Sequence, residues 1–210
     1  MLFSVHMVQH ELLMLVAAPL VVLGRPLVPL LWALPRGLRV RAARATRPAR
    51  LWRLVTSPLP ALTLHAVTRL AWHIPALFDA ALADERIHAV QHLTFFATAV
   101  VFWWALIYGR YGRAGSGVGV AFVFVTMLYS GLLGAVLSLA DHAFYAHAEP
   151  TLRWGIDPVD DQQRAGLLMW VPAGLLLMTV GLAIFAAWLG QSAARAGRSA
   201  HPSLAGKDAP

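Results

Sequence analysis

Two pairs of histidines have the spacing that places side chains on one face of a helix. His6 and His10 are four residues apart, and His88 and His92 repeat that interval. On an α-helix such residues lie one turn apart and point within about 40° of each other. Two neighbouring helices carrying these pairs could supply four imidazoles to one ion, or to a close pair of ions. Imidazole suits copper, zinc, iron and nickel.

Other side chains could complete such a site. His73, in the sequence Trp-His-Ile-Pro, ends an apolar stretch and is the natural fifth ligand. Because the chain has no cysteine, any metal must use His, Met, Asp or Glu. Thioether sulfur would favour Cu(I), and imidazole ligands are commonly hydrogen-bonded to a further polar group. The weaker candidates on these grounds are Met7, Met169, Asp161, Glu11 and Gln91.

A simpler interpretation is that amphipathic residues collect at the headgroup interface of a membrane. It is the better one for His142 and His147, which lie in a loop, and we expect both to be bystanders. His65 falls in the middle of an apolar stretch, where we expect it to bond a neighbouring carbonyl. For the two pairs taken with His73 the metal interpretation is stronger, since ionisable residues inside membrane spans are costly and usually functional.

The composition places the chain in a bilayer. Of its 210 residues 59% are hydrophobic and 13% charged, whereas soluble domains have about half apolar and a quarter charged residues. The net charge of +7 does not indicate nucleic-acid binding, because seven of the 17 basic residues crowd into residues 36–53.

Five apolar stretches predict an all-α fold, a polytopic transmembrane helix bundle with about five spans in residues 1–190. They cover about 7–23, 54–72, 88–108, 118–140 and 165–189. The first has a kinked extension to residue 34. The second is the weakest, since it holds Pro58, Pro60, His65 and Arg69. Residues 191–210 are polar, and we expect them to form a disordered cytoplasmic tail.

The charges of the connections alternate along the chain. The first, third and last segments are basic, and the second and fourth are acidic. Because positive loops stay inside, the N-terminus is predicted outside and the C-terminus inside. The histidine pairs and His73 then share the non-cytoplasmic face. Asp157, Asp160 and Asp161 precede the last span and could cap its helix.

The basic loop, residues 35–53, is predicted to lie in the cytoplasm and to bind anionic lipid headgroups. Its arginines recur mostly every third residue, which makes no single helical face, and Pro48 interrupts the run. The candidate headgroup ligands are Arg36, Arg39, Arg41, Arg44, Arg47, Arg50 and Arg53.

Three sequence blocks together resemble the CtaG family of cytochrome c oxidase assembly factors. They are His6-Met7-Val8-Gln9-His10 with Gly24-Arg25-Pro26; Trp72-His73-Ile74-Pro75 with His88-Ala89-Val90-Gln91-His92; and Asp161-Gln162-Gln163 with Gly166, Met169-Trp170 and Pro172. The resemblance implies a multi-span protein of the bacterial inner membrane that aids biogenesis of a haem–copper oxidase at the copper-insertion step. Family members usually carry further spans before the first block, so we expect upstream spans to be missing from this chain.

The resemblance favours copper, with zinc, iron and haem left open. The leading hypothesis is a non-enzymatic assembly factor whose partners are oxidase subunits or another assembly factor. One alternative is a di-iron hydroxylase-like enzyme, since repeated histidine pairs occur in such enzymes. Another is a b-type haem protein with axial histidines from two helices. A transporter fits less well, because the mid-membrane residues are almost wholly apolar.

Overall fold

The computed structural model describes residues 2–25, 32–44, 46–109, 116–146 and 148–200. Every regular element in these residues is helical, which confirms the predicted fold class. In chain order the helices are α1 (Phe3–Gly24), α2 (Arg36–Arg44), α3 (Thr46–Val55), α4 (Pro58–Trp72), α5 (Pro75–Ala83), α6 (Glu85–Tyr108), α7 (Ser116–Ser138), α8 (Ala148–Arg153) and α9 (Pro158–Ala200). The extension of the first span through residues 26–31 lies outside the described residues.

Four of these helices, α1, α6, α7 and α9, are long and apolar enough to cross a membrane. The second predicted span is the short helix α4. Its 15 residues give about 22 Å of helix, less than the roughly 30 Å of a hydrocarbon core. The chain bends at Thr56 and Ser57, and α4 begins at Pro58, which needs no N–H donor there. Four full-length helices and one short one agree with the prediction of about five spans.

The five helices form a closed ring. Going round it, α6 packs on α1, α1 on α9, α9 on α7, α7 on α4, and α4 again on α6. The starts of α1, α6 and α9 meet the ends of α4 and α7 at one end of the bundle, here called the histidine end. The predicted alternation of inward and outward spans places the same five helix ends on one face.

Two apolar clusters fill the ring. The cluster at the histidine end includes Phe3, Met7 and Met169, and the deeper one includes Met14, Phe95 and Phe102. Along α1, the buried polar residues His10 and Glu11 lie between Met7 of the first cluster and Met14 of the second. A polar layer therefore separates two hydrophobic ones.

Helix α1 contains a π-helical stretch from Leu12 to Ala17. Its hydrogen bonds span five residues, as in the bond from the Ala18 N–H to the Leu13 carbonyl. The next donor in this pattern would be Pro19, which has no N–H, so the Met14 carbonyl loses its partner in the helix. The indole Nε1–H of Trp103 on α6 donates to that carbonyl at 2.8 Å. Because Pro19 cannot donate, the Met14 carbonyl is left to accept the hydrogen bond that joins α6 to α1.

The start of α1 is held by α9. The Asp161 carboxylate accepts hydrogen bonds from the Phe3 N–H at 2.6 Å and the Ser4 N–H at 3.2 Å. Asp157, Asp160 and Asp161 were all named as possible caps of α9; Asp157 has that role, accepting from the Val159 N–H at 2.8 Å, whereas Asp161 caps α1. A carboxylate from another helix satisfies the free amides of α1 and opposes its positive dipole end.

The α7–α9 contact is close because two glycines lie in it. A Cβ at Gly134 would come within 2.5 Å of the Trp170 side chain, and one at Gly166 within 2.7 Å of the Ser138 backbone. Small residues of this kind allow transmembrane helices to approach closely.

Two segments differ from the sequence prediction. The basic loop at 35–53 forms the helices α2 and α3, and Pro48 lies in the first turn of α3, where its missing N–H costs nothing. Helix α9 continues to Ala200, through the first part of the predicted tail. Residues 201–210 lie outside the described part.

We expect Trp103→Phe to destabilise the protein by about 1–3 kcal/mol, because it leaves the buried Met14 carbonyl without a donor. Thermal unfolding in detergent measures the loss. Trp72→Phe is the matched control: it removes an indole bond of 2.9 Å to the Thr94 hydroxyl, which still donates to backbone carbonyls. Equal losses in the two variants would contradict the role given to Pro19.

We expect Asp161→Ala to lower stability by about 1–2 kcal/mol, as loss of a helix cap does. The first turn of α1 should also show faster amide hydrogen exchange, since two of its N–H groups lose their acceptor. Asp160→Ala, at an exposed neighbouring position, serves as the control. Unchanged exchange at Phe3 and Ser4 would overturn this account of the cap.

Candidate metal centre

Four imidazoles meet at the histidine end. His6 and His10 come from successive turns of α1, and His88 and His92 from the start of α6. One ligand atom from each of the four lies within 4.8 Å of all the others. The predicted pairing of two histidine pairs on neighbouring helices is therefore present in the fold.

The distances are close to those around a single ion. His10 Nε2 and His92 Nε2 are 3.1 Å apart, and the ring centroids of His6 and His10 are 4.2 Å apart. Metal–nitrogen bonds of about 2.0–2.1 Å place two tetrahedral ligands about 3.3 Å from each other. The group must contract by up to about 1.5 Å at its widest, which side-chain rotations can supply.

Several ring nitrogens of the group are ready to bind. Within the described residues, both nitrogens of His6, Nδ1 of His10 and Nε2 of His88 are buried and have no hydrogen-bond partner. Buried polar atoms in folded proteins nearly always have a partner. A metal ion would bind one nitrogen of each ring, and imidazole nitrogen is a donor that copper and zinc prefer.

The four histidines differ in exposure. His6 and His10 are buried, at 3% and 1% exposure, by the helices that surround α1. His88 and His92, on α6, are only partly buried. The group is thus closed on its α1 side and accessible on its α6 side.

His73 lies next to this group but is not one of the four. Its ring contacts Phe78 and Phe95 at centroid distances of 6.4 and 6.3 Å. The same two phenyl rings contact His6 and His10, respectively. The Nδ1–H of His73 donates to the Arg69 carbonyl at 2.7 Å, so Nε2 carries the lone pair. That atom is buried without a partner among the described residues.

The two acids named as weaker candidates have other partners. Glu11 forms a buried ion pair with Arg69 of α4, and Asp161 caps α1. Met7 and Met169 are both buried in the apolar cluster with Phe3. Neither carboxylate belongs to the group whose ligand atoms converge, although Oε2 of Glu11 is buried without a hydrogen-bond partner among the described residues.

The loop between α7 and α8 is hydrogen-bonded to the end of α4 and to α5, next to the histidine group. The Tyr145 hydroxyl donates to the His73 carbonyl at 3.0 Å, and the Ala146 N–H donates to the Asp79 carboxylate at 2.9 Å. Gln162 accepts from the Phe144 N–H and donates to the His142 carbonyl. Burial and the Asp79 charge raise the pKa of Tyr145 above its ordinary value, so this phenol remains a donor.

The other described histidines, His65 and His142, lie apart from the group. His142 is exposed and its Nδ1 pairs with the Asp141 carboxylate at 2.6 Å. His65 bonds the Thr98 hydroxyl at 3.2 Å rather than a carbonyl. His147 and His201 lie outside the described residues.

Sequence reasoning missed the roles of Arg69, Tyr145 and Gln162. Arg69 had a usable signal, since an arginine within an apolar span requires a counter-charge. The acid nearest the histidines, Glu11, was the obvious partner. Tyr145 and Gln162 act through loop geometry, which no sequence interval encodes.

Comparisons with known proteins place the chain in one family. No curated protein and no solved structure gave a match. The family model described as "Cytochrome c oxidase caa3 assembly factor (Caa3_CtaG)" matches residues 1–191. That match covers α1, α4, α6 and α7, the part of α9 up to residue 191, and every histidine of the group. The chain therefore belongs to the Caa3_CtaG family of cytochrome c oxidase assembly factors.

Proposed function

We propose that this assembly factor binds one copper ion through His6, His10, His88 and His92 and supplies it to a haem–copper oxidase during assembly. The observation that carries the proposal is the convergence of four imidazoles from two helices within 4.8 Å. Among divalent first-row metals copper binds nitrogen ligands most tightly. Zinc shares the ligand preference and is the competing ion.

The protein acts as a carrier and not as an enzyme in this proposal. Transfer needs a site from which the ion can leave, and the partly buried His88 and His92 supply an accessible side. His73 is a fifth imidazole beside the group and provides a further ligand during exchange. Its Nδ1–H bond to the Arg69 carbonyl fixes the tautomer that a metal ligand at Nε2 requires.

The proposed location is the bacterial inner membrane, with the histidine end on the non-cytoplasmic face. The supporting observation is the charge of the connections, because the basic ones belong on the cytoplasmic side. Arg36, Arg41, Arg50 and Arg53 are exposed on α2 and α3, where they are free to meet anionic headgroups. Arg39 stacks on Trp32 at 4.4 Å. The side chains of Arg44 and Arg47 lie outside the described part.

The partner is an oxidase subunit or another assembly factor that docks at the histidine end. Copper in such oxidases must be placed in folded membrane subunits, so its donor has to present the ion at a membrane surface. The starts of α1 and α6 hold the histidine group at such a surface.

The two alternative functions fit this geometry less well. A b-type haem takes two axial histidines on opposite faces of its macrocycle, whereas here four imidazoles converge within 4.8 Å and His10 Nε2 lies 3.1 Å from His92 Nε2. Histidine-rich di-iron enzymes usually use more histidines, in other spacings, and face the cytoplasm, whereas here four histidines converge at the end that the loop charges place outside.

We expect the purified protein to bind about one copper per chain and the double variant His6→Ala/His10→Ala to bind none. Removing both α1 ligands leaves only the pair on α6. Metal analysis after dialysis measures the stoichiometry. The control is His142→Ala, an exposed histidine outside the group. Full copper occupancy in a folded double variant would refute the site.

We expect cells that lack this protein to assemble an oxidase deficient in copper. Wild type and His142→Ala should restore oxidase copper, and His6→Ala/His10→Ala should not. Metal content and the optical spectrum of the purified oxidase provide the measurement. Restoration by the double variant would show that the protein escorts a subunit without delivering the ion.

A further inference from the structure

The buried acids among the described residues are neutralised by other parts of the fold. Glu11 and Asp161 are the buried acidic residues in the part of the chain that the structure describes. A free carboxylate in either position would add negative charge close to a bound cation. The fold provides a cationic or dipolar partner for each.

Arg69 neutralises Glu11. The two side chains are 3% and 9% exposed and form an ion pair between α4 and α1. Glu11 directly follows His10 in α1, so its charge would otherwise lie within a residue of a ligand. The pair as a whole has no net charge.

Asp161 is neutralised by α1 itself. Its carboxylate receives two backbone N–H groups at the helix start, where the helix dipole is positive. The third polar group beside the histidines, Gln91, is fully buried on α6 and uncharged.

An ion in the group therefore keeps its full charge. Four neutral imidazoles donate electron pairs but cancel no charge, and the chain has no cysteine to supply a thiolate. The cost of holding an ion in a medium of low dielectric constant rises with the square of its charge. A monovalent ion consequently meets about a quarter of the penalty that a divalent ion meets.

We infer that the centre selects monovalent copper, Cu(I), over divalent ions, and that Arg69 sets this selectivity by neutralising Glu11. The inference rests on the proposed function and adds the oxidation state of the cargo and the residue that determines it. It depends on charge, since imidazole alone accepts copper in either oxidation state and zinc as well.

The test compares Cu(I) and Zn(II) affinities of the full chain in detergent. Cu(I) is titrated without oxygen against a chromogenic chelator, and Zn(II) against a fluorescent one. We expect wild type to bind Cu(I) more tightly than Zn(II). Gln91→Glu adds a carboxylate between His88 and His92, and should shift the affinity ratio towards Zn(II) by at least about tenfold. Gln91→Met, which adds no charge, is the matched control.

A second set of variants tests Arg69 itself. Arg69→Gln leaves Glu11 unpaired and should also shift the ratio towards Zn(II). Arg69→Gln/Glu11→Gln removes the freed charge and should return the ratio to the wild-type value. If the Arg69 variants do not fold, Gln91→Glu decides the charge argument alone.

The outcomes separate this inference from the proposed function. Wild type that binds neither ion would refute the proposed metal site. Zn(II) binding as tight as Cu(I) binding, or a ratio that Gln91→Glu leaves unchanged, would overturn the inference while a metal site remains. If Gln91→Glu shifts the affinity ratio but a folded Arg69→Gln variant does not, charge sets the selectivity and Arg69 has no part in it.

Discussion

The ion pair between Arg69 and Glu11 is the constraint on which the histidine end depends. Burying either charge alone in a membrane is costly, so the fold is more stable when α1 turns Glu11 towards α4. Successive helical residues differ by about 100°, and this orientation turns His10 towards α6, where it meets His92. The Arg69 carbonyl meanwhile holds the His73 ring. Arg69 thus orients imidazoles on two helices: its guanidinium acts on His10 through Glu11, and its carbonyl acts on His73.

The paired histidines could be predicted because the interval of four residues is a property of the helix itself. Loop charges predicted that the starts of α1 and α6 share a face, whereas the packing of the two helices on each other is seen only in the fold. The face on which His73 lies was predicted in the same way, but its placement next to the four histidines was not. It depends on a turn after α4 and on the ring contacts with Phe78 and Phe95, and these exist only in the packed bundle.

The departures from prediction have a common physical origin in tertiary contacts. Asp161 was expected to act within its own helix, but the α1–α9 contact brings it to the free amides of α1. Glu11 was expected to support the histidines, but an arginine on a neighbouring helix is a stronger partner for a buried carboxylate. Both side chains were recognisable as functional from their type, while their partners depended on which helices pack together.

The π-helical stretch in α1 has a consequence for how this helix serves two purposes. A π-helical turn holds more residues than an α-helical one, and such insertions often mark functional sites. The residues before Leu12 are therefore out of phase with those after Ala17. The deeper half of α1 can keep the orientation about its axis that packs Met14 and Ala18 against α6. The outer half is rotated about the helix axis so that its histidines face the group. Each half can therefore make its own contacts without displacing those of the other.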